Sequence, residues 1–61
     1  MNPELVAIFA FISAANARLE GMLAENYSRL TQNLAPAYSS EDFFYEAQNL
    51  ENLAVQARSA I

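Results

Sequence analysis

Between Pro3 and Pro36 nothing interrupts the chain but one glycine, Gly21. A lone glycine costs about 1 kcal/mol against alanine, too little to end a long helix. Pro36 is a true stop, because it pushes Ala35 out of the α region and ends a helix before it. The start is equally clear: Asn2 reads as an N-cap, Pro3 occupies the first helical position, and Glu4 suits the positive end of the helix. A first helix is therefore predicted over about residues 3–34. Beyond the proline, Ser39-Ser40-Glu41-Asp42 has the form of a capping box, and a second helix is predicted over about residues 40–60. The link from Ala35 to Ser39 is short, which makes the helices antiparallel neighbours.

Composition agrees with an all-α reading. Apolar residues make up 54% of the 61-residue chain, which excludes a disordered polymer. Alanine and leucine are abundant while β-branched residues are scarce, so strand material is missing. The expectation is a single all-α domain over residues 1–61, an antiparallel helical hairpin belonging to an oligomeric bundle or larger assembly. Chains of this size rarely stabilise a core alone without disulfides or metal, and this one has neither cysteine nor histidine.

Within the first helix Ile8, Ile12, Leu19, Leu23, Leu30 and Leu34 recur at alternating steps of four and seven, an eleven-residue repeat that predicts one inward stripe. Within the second, Phe43, Ala47, Leu50, Ala54, Ala57 and Ile61 form a seam with steps of four and three. Gln48, Asn49, Glu51, Asn52, Gln56 and Arg58 fall mostly on its other face. Glu25 and Arg29 are placed for an i,i+4 ion pair.

Length then bears on function. At 1.5 Å per residue the first helix is about 48 Å long and the second about 32 Å. Folding back from the turn, the second covers the first only to about Ser13. The stretch left over, Leu5 to Ile12, is the most apolar in the protein and has no polar face. A helix that is hydrophobic all round is buried all round, and an exposed patch of this kind marks an interface or a membrane contact. The candidate interface residues are Leu5, Val6, Ile8, Phe9, Phe11 and Ile12, joined by Phe44 and Tyr45, surplus aromatics beside the second seam.

Protein contact is the expectation over lipid. The apolar stretch extends to Ala17, about thirteen residues where a bilayer span needs roughly 20. An interfacial helix favours Lys and Arg on its polar face, and this stretch has none. Met1-Asn2-Pro3-Glu4 is acidic, so a signal peptide is not expected, and the expected setting is cytoplasm or virion.

Several chemistries are excluded by residue type. Without His or Cys there is no ordinary zinc site and no Ser-His or Cys-His catalysis. One glycine cannot build a phosphate loop. Three arginines, no lysine and seven acids give a net charge of −4 and argue against nucleic acid. Glu20 and Glu25, like Glu46 and Glu51, are five apart and diverge on a helix, so no acid–base pair forms. Glu41-Asp42-Phe43-Phe44-Tyr45-Glu46 suggests an acidic-aromatic docking motif or a cation site. The plainer account is that its acids complement the helix dipole and Phe43 anchors the seam. Asn26-Tyr27-Ser28 matches a glycosylation sequon by chance, mid-helix. Asn16, Asn26 and Asn33 lie near the first stripe. They read as its solvated edge, although a buried Asn16 would fix register in a helix assembly.

No catalytic, cofactor-binding or metal residue is expected. The function expected is that of a non-catalytic structural subunit that self-associates or docks into a larger complex through its apolar N-terminal arm. A composition rich in Ala, Asn and Gln without Lys makes a small phage virion protein a reasonable setting. The competing readings are a small acidic regulator that inhibits a host protein and a membrane-associated accessory peptide.

Overall fold

The computed structural model describes residues 2–60, which form two helices, α1 (Pro3–Thr31) and α2 (Ser40–Ser59), packed against each other as an all-α hairpin. Its Cα atoms span 47 × 19 × 9 Å, so the molecule is one helix thick.

Both helix starts are fixed by their caps. The Asn2 side-chain oxygen accepts from the backbone N–H groups of Glu4 at 2.9 Å and Leu5 at 3.4 Å, satisfying two donors that lack helical partners. At α2 the backbone N–H of Ser39 donates to the Asp42 carboxylate at 2.8 Å, while the Asp42 N–H donates to the Ser39 hydroxyl at 3.4 Å. That is the reciprocal capping box its sequence predicts.

Helix α1 ends three residues sooner than Pro36 alone requires. Asn33 adopts a left-handed conformation with φ 58°. The N–H of Leu34 donates to the Arg29 carbonyl at 2.8 Å and that of Asn33 to the Leu30 carbonyl at 3.1 Å. These are the two bonds of a Schellman motif, with asparagine in the position glycine usually takes.

The link that follows doubles back along α1 instead of turning at its end. Asn26 holds it there: its side-chain oxygen accepts from the N–H groups of Ala37 and Tyr38, both at 3.0 Å, and its amide donates to the Tyr38 carbonyl at 3.0 Å. Helix α2 thus begins well below the top of α1 and reaches its bottom, where the Asn2 amide donates to the Ala60 carbonyl at 2.9 Å. This overturns the expected overhang of the N-terminal arm. The unmatched length lies at the turn end, around Tyr27 and Leu30.

The seams are also re-registered. Buried and half-buried positions on α1 are Leu5, Ile8, Ile12, Ala15, Leu19, Met22, Asn26 and Arg29, in steps of three and four. On α2, Phe43, Glu46, Leu50, Leu53 and Ala57, followed by the C-cap Ala60, keep the same rhythm, with Asn49 half-buried beside them. This is the heptad spacing of an antiparallel coiled coil, not an eleven-residue repeat. Leu23, Leu30 and Leu34, expected inside, are exposed, as are Ala47 and Ala54. Ile61 lies outside the described residues.

Candidate association surface

The feature that most demands explanation is how little two helices can hide. Among the described residues, Ile8, Ala15, Met22 and Leu53 are the buried hydrophobics, and no large side chain is fully buried. Outside them lies a second apolar stripe of α1: Val6, Phe9, Ser13, Asn16, Glu20, Leu23, Tyr27 and Leu30, again in steps of three and four and exposed throughout. It runs beside the inner seam because each member stands one or four positions after an inward one.

The opposite flank of the seam bears exposed Phe11 near the N-terminus and is charged toward the turn. There Arg18 makes two parallel bonds to Glu46, Nε to Oε1 at 3.1 Å and Nη2 to Oε2 at 3.3 Å. Hydrogen bonding from Arg18 holds the Glu46 carboxyl below its ordinary pKa. The guanidinium charge and a hydrogen bond from Asn49 act the same way, against partial desolvation, which raises it. Glu46 occupies a seam position with only 16% of its side chain exposed, and this fork-to-fork pairing offsets the burial of its charge. Arg29 pairs with Glu25 at 3.1 Å, as its spacing predicts. Together with Met22 and Tyr38 these four charges line an open groove of about 700 Å³. Both arginines are already paired with carboxylates, so the groove offers no unmatched cation to an anionic ligand. Among the described residues no cluster of His, Cys, Asp or Glu is arranged to hold a metal ion.

The residues singled out in the sequence divide sharply. Ile8, with 4% of its surface exposed, is covered by its own hairpin, and Leu5 and Ile12 are half-buried in the same seam. These three are therefore corrected from an all-round apolar arm to the inner face of the hairpin. Val6, Phe9, Phe11, Phe44 and Tyr45 stay exposed, but not on one surface. Phe9 and Phe11 are two apart on a helix and point to opposite flanks. Phe44 lies on the Phe9 flank of α2, whereas Tyr45 sits over a small hollow with Gln48, Asn49 and Asn52. Leu23 and Leu30, expected inside, belong to the exposed surface together with Tyr27, which the eleven-residue spacing passes over. The heptad frame beginning at Leu5 accounts for all three. Asn26, read as a solvated edge residue, is the anchor of the link.

The apolar stretch of α1 is longer than the expected thirteen residues. It contains an 18-residue stretch with mean hydropathy 1.4, enough by length and composition to cross a membrane. Arg18 interrupts the apolar run, but Leu19, Met22 and Leu23 carry apolar character past it. Crossing would separate Arg18 from Glu46 and strip α2 from the inner seam, since α2 carries Glu41, Asp42, Glu46, Glu51 and Arg58 and cannot follow into hydrocarbon.

The geometry defines a class, a short antiparallel helical hairpin with a surplus apolar flank. Compared with protein families, characterised proteins and solved structures, the chain matches none.

Proposed function

We propose that this chain is a non-catalytic assembly subunit that completes its core by packing against protein, either other copies of itself or subunits of a larger particle. The observation carrying this reading is the contrast between four buried hydrophobic residues and an exposed flank bearing Phe9, Leu23, Tyr27 and Leu30. Each large apolar side chain removed from water contributes ~1.5–3 kcal/mol, and domains below about 70–80 residues seldom reach more than ~3–5 kcal/mol from one core. A companion that binds only the folded hairpin adds stability by mass action. The lysine-free, Ala- and Asn-rich composition is compatible with a virion as the setting.

Sedimentation or light scattering of the purified chain tests this. The expected native mass is a multiple of 6.8 kDa, falling to the single-chain value in Phe9→Glu. A clean monomer at about 0.5 mM, far above the Kd of any stable assembly, removes self-association and leaves only docking onto other subunits of a particle. One defined foreign partner in a pull-down, in place of self-association, would favour an acidic regulatory binder. A membrane-associated peptide is the second reading, favoured by the apolar stretch of α1. Co-flotation with vesicles that is lost in Phe9→Glu plus Phe11→Glu would promote it.

A further inference from the structure

The exposed stripe of α1 is nearly palindromic. From Asn16 outward it reads Ser13, Phe9, Val6 toward one end and Glu20, Leu23, Tyr27 toward the other, so polar residues occupy the centre and large apolar ones both arms. A surface that must match itself under a two-fold rotation has this form, because in an isologous contact residue i meets j and j meets i. We propose that a second copy of the chain covers this stripe, antiparallel to the first, with the two-fold axis passing beside Asn16. This rests on the assembly reading above and specifies its first step, a four-helix bundle of two hairpins.

In that arrangement Phe9 of each copy packs on Leu23 of the other, Val6 on Tyr27, and Ser13 faces Glu20. Asn16 meets its own symmetry mate, as asparagines do where they fix register in helix assemblies. Helix α2 fits the same axis. Arg18 and Glu46 mark one flank of the hairpin, which leaves Ala47 and Ala54 on the other, beside Phe9 and Leu23. The antiparallel ties Asn2 to Ala60 and Arg18 to Glu46 bring Ala47 level with Asn16, so Ala47 meets Ala47 at the axis and its small side chain lets the helices approach. The parallel alternative sets Phe9 on Ala54, Leu23 on Ser40 and Glu20 on Phe44, pairing each large apolar group with a small or polar one. Area supports the dimer too. A face of 47 × 19 Å is close to the ~800 Å² per partner of a standard stable interface.

The chain has no cysteine, so single thiols report the geometry directly. Asn16→Cys and Ala47→Cys are each expected to give a covalent dimer with a short bis-maleimide. Phe9→Cys alone is not, because its copies stand about 21 Å apart along the axis, whereas mixing Phe9→Cys with Leu23→Cys restores the crosslink. Native mass is measured for every variant, the Asn16 and Ala47 changes being on exposed positions that the fold does not use. A dimeric or larger mass with Phe9→Cys crosslinking as readily as Asn16→Cys, or with no crosslink at Asn16 or Ala47, overturns the antiparallel axis and leaves the assembly reading standing. A monomeric mass for the unmodified chain overturns the antiparallel axis together with the self-association it rests on.

Discussion

Helix α1 carries two long stripes of the same rhythm, and only one is covered by its own chain. The inner stripe, from Leu5 to Met22, lies under α2; the outer, from Val6 to Leu30, faces solvent. Their apolar content is similar in kind: Ile8, Ile12 and Leu19 inside, Phe9, Leu23 and Leu30 outside. What separates them is polarity at the centre. The inner stripe is apolar from Leu5 through Met22, with Ala15 fully buried at its middle, while the outer is broken by Ser13, Asn16 and Glu20. A permanent intramolecular contact tolerates no unpaired polar group at its middle. A contact between separate copies gains from one, because a polar centre penalises slipped registers. In the proposed dimer the same helix would address two partners of different permanence.

A substitution does most damage at the inner stripe. Ile8→Ala deletes one of the few buried large side chains, and such truncations cost ~2–5 kcal/mol. In so thin a molecule that equals most of the stability a single hairpin has. Loss of helical circular dichroism at room temperature is the expected outcome. A cooperative melt within a few degrees of the parent would mean the inner seam does not carry the fold.

Next comes Asn26→Ala. Asn26 continues the seam beyond Met22 and makes three hydrogen bonds to the returning link. Losing them leaves two N–H groups and one carbonyl to find water, at about 1–3 kcal/mol. Asn26→Asp keeps the acceptor for Ala37 and Tyr38 but loses the donor to the Tyr38 carbonyl, so its thermal midpoint should fall between the two. Equal midpoints for Asp and Ala would show that the acceptor bonds contribute nothing.

The polar flank supplies a pH-dependent and smaller effect. Glu46 has a lowered pKa in the folded state, owed first to hydrogen bonding from Arg18. Its contribution is therefore present above the unfolded carboxylate value and lost as pH falls through the lowered folded value. The midpoint of thermal unfolding should drop with acidification, and drop less steeply in Glu46→Gln. Identical pH profiles for the two proteins would remove Arg18–Glu46 as a source of stability.

How much of this was legible beforehand depends on the kind of signal. Caps were, because Asn2-Pro3-Glu4 and Ser39 to Asp42 specify backbone bonds within four residues. The hairpin was, because Pro36 admits no through-helix. The seam frame was not: Ile8, Ile12 and Leu19 belong equally to an eleven-residue repeat with Leu23 and to a heptad with Ala15 and Met22. Only the partner helix decides between them. The supposed overhang failed through Asn33 and Asn26 together. A left-handed asparagine ends α1 early, and another, mid-helix, draws the link back down its side. Both act through side-chain or backbone geometry that hydrophobic spacing does not register. The exposed residues of the candidate surface were half visible for the same reason: Val6 and Phe9 stood out as part of an apolar run, while Leu23 and Leu30 were hidden by the wrong frame.

The smallest effect sharpens the contrast between flanks. Gly21 is a helical glycine on the side of α1 away from the outer stripe, bordering the charged groove, and a Cβ built there meets nothing within 4 Å. Its backbone is ordinary helix, so no positive φ requires glycine. Gly21→Ala should therefore stabilise the hairpin by roughly 0.5–1 kcal/mol, through the entropy glycine loses on folding. The sign carries information about assembly as well. Glycine on an exposed helix face is also where a partner's backbone approaches closely, and a methyl group would then obstruct it. If copies meet on the Phe9 and Leu23 side, Gly21→Ala raises the thermal midpoint and leaves the native mass unchanged. If the mass falls while the midpoint rises, the partner sits on the charged groove, and the outer stripe has some other cover.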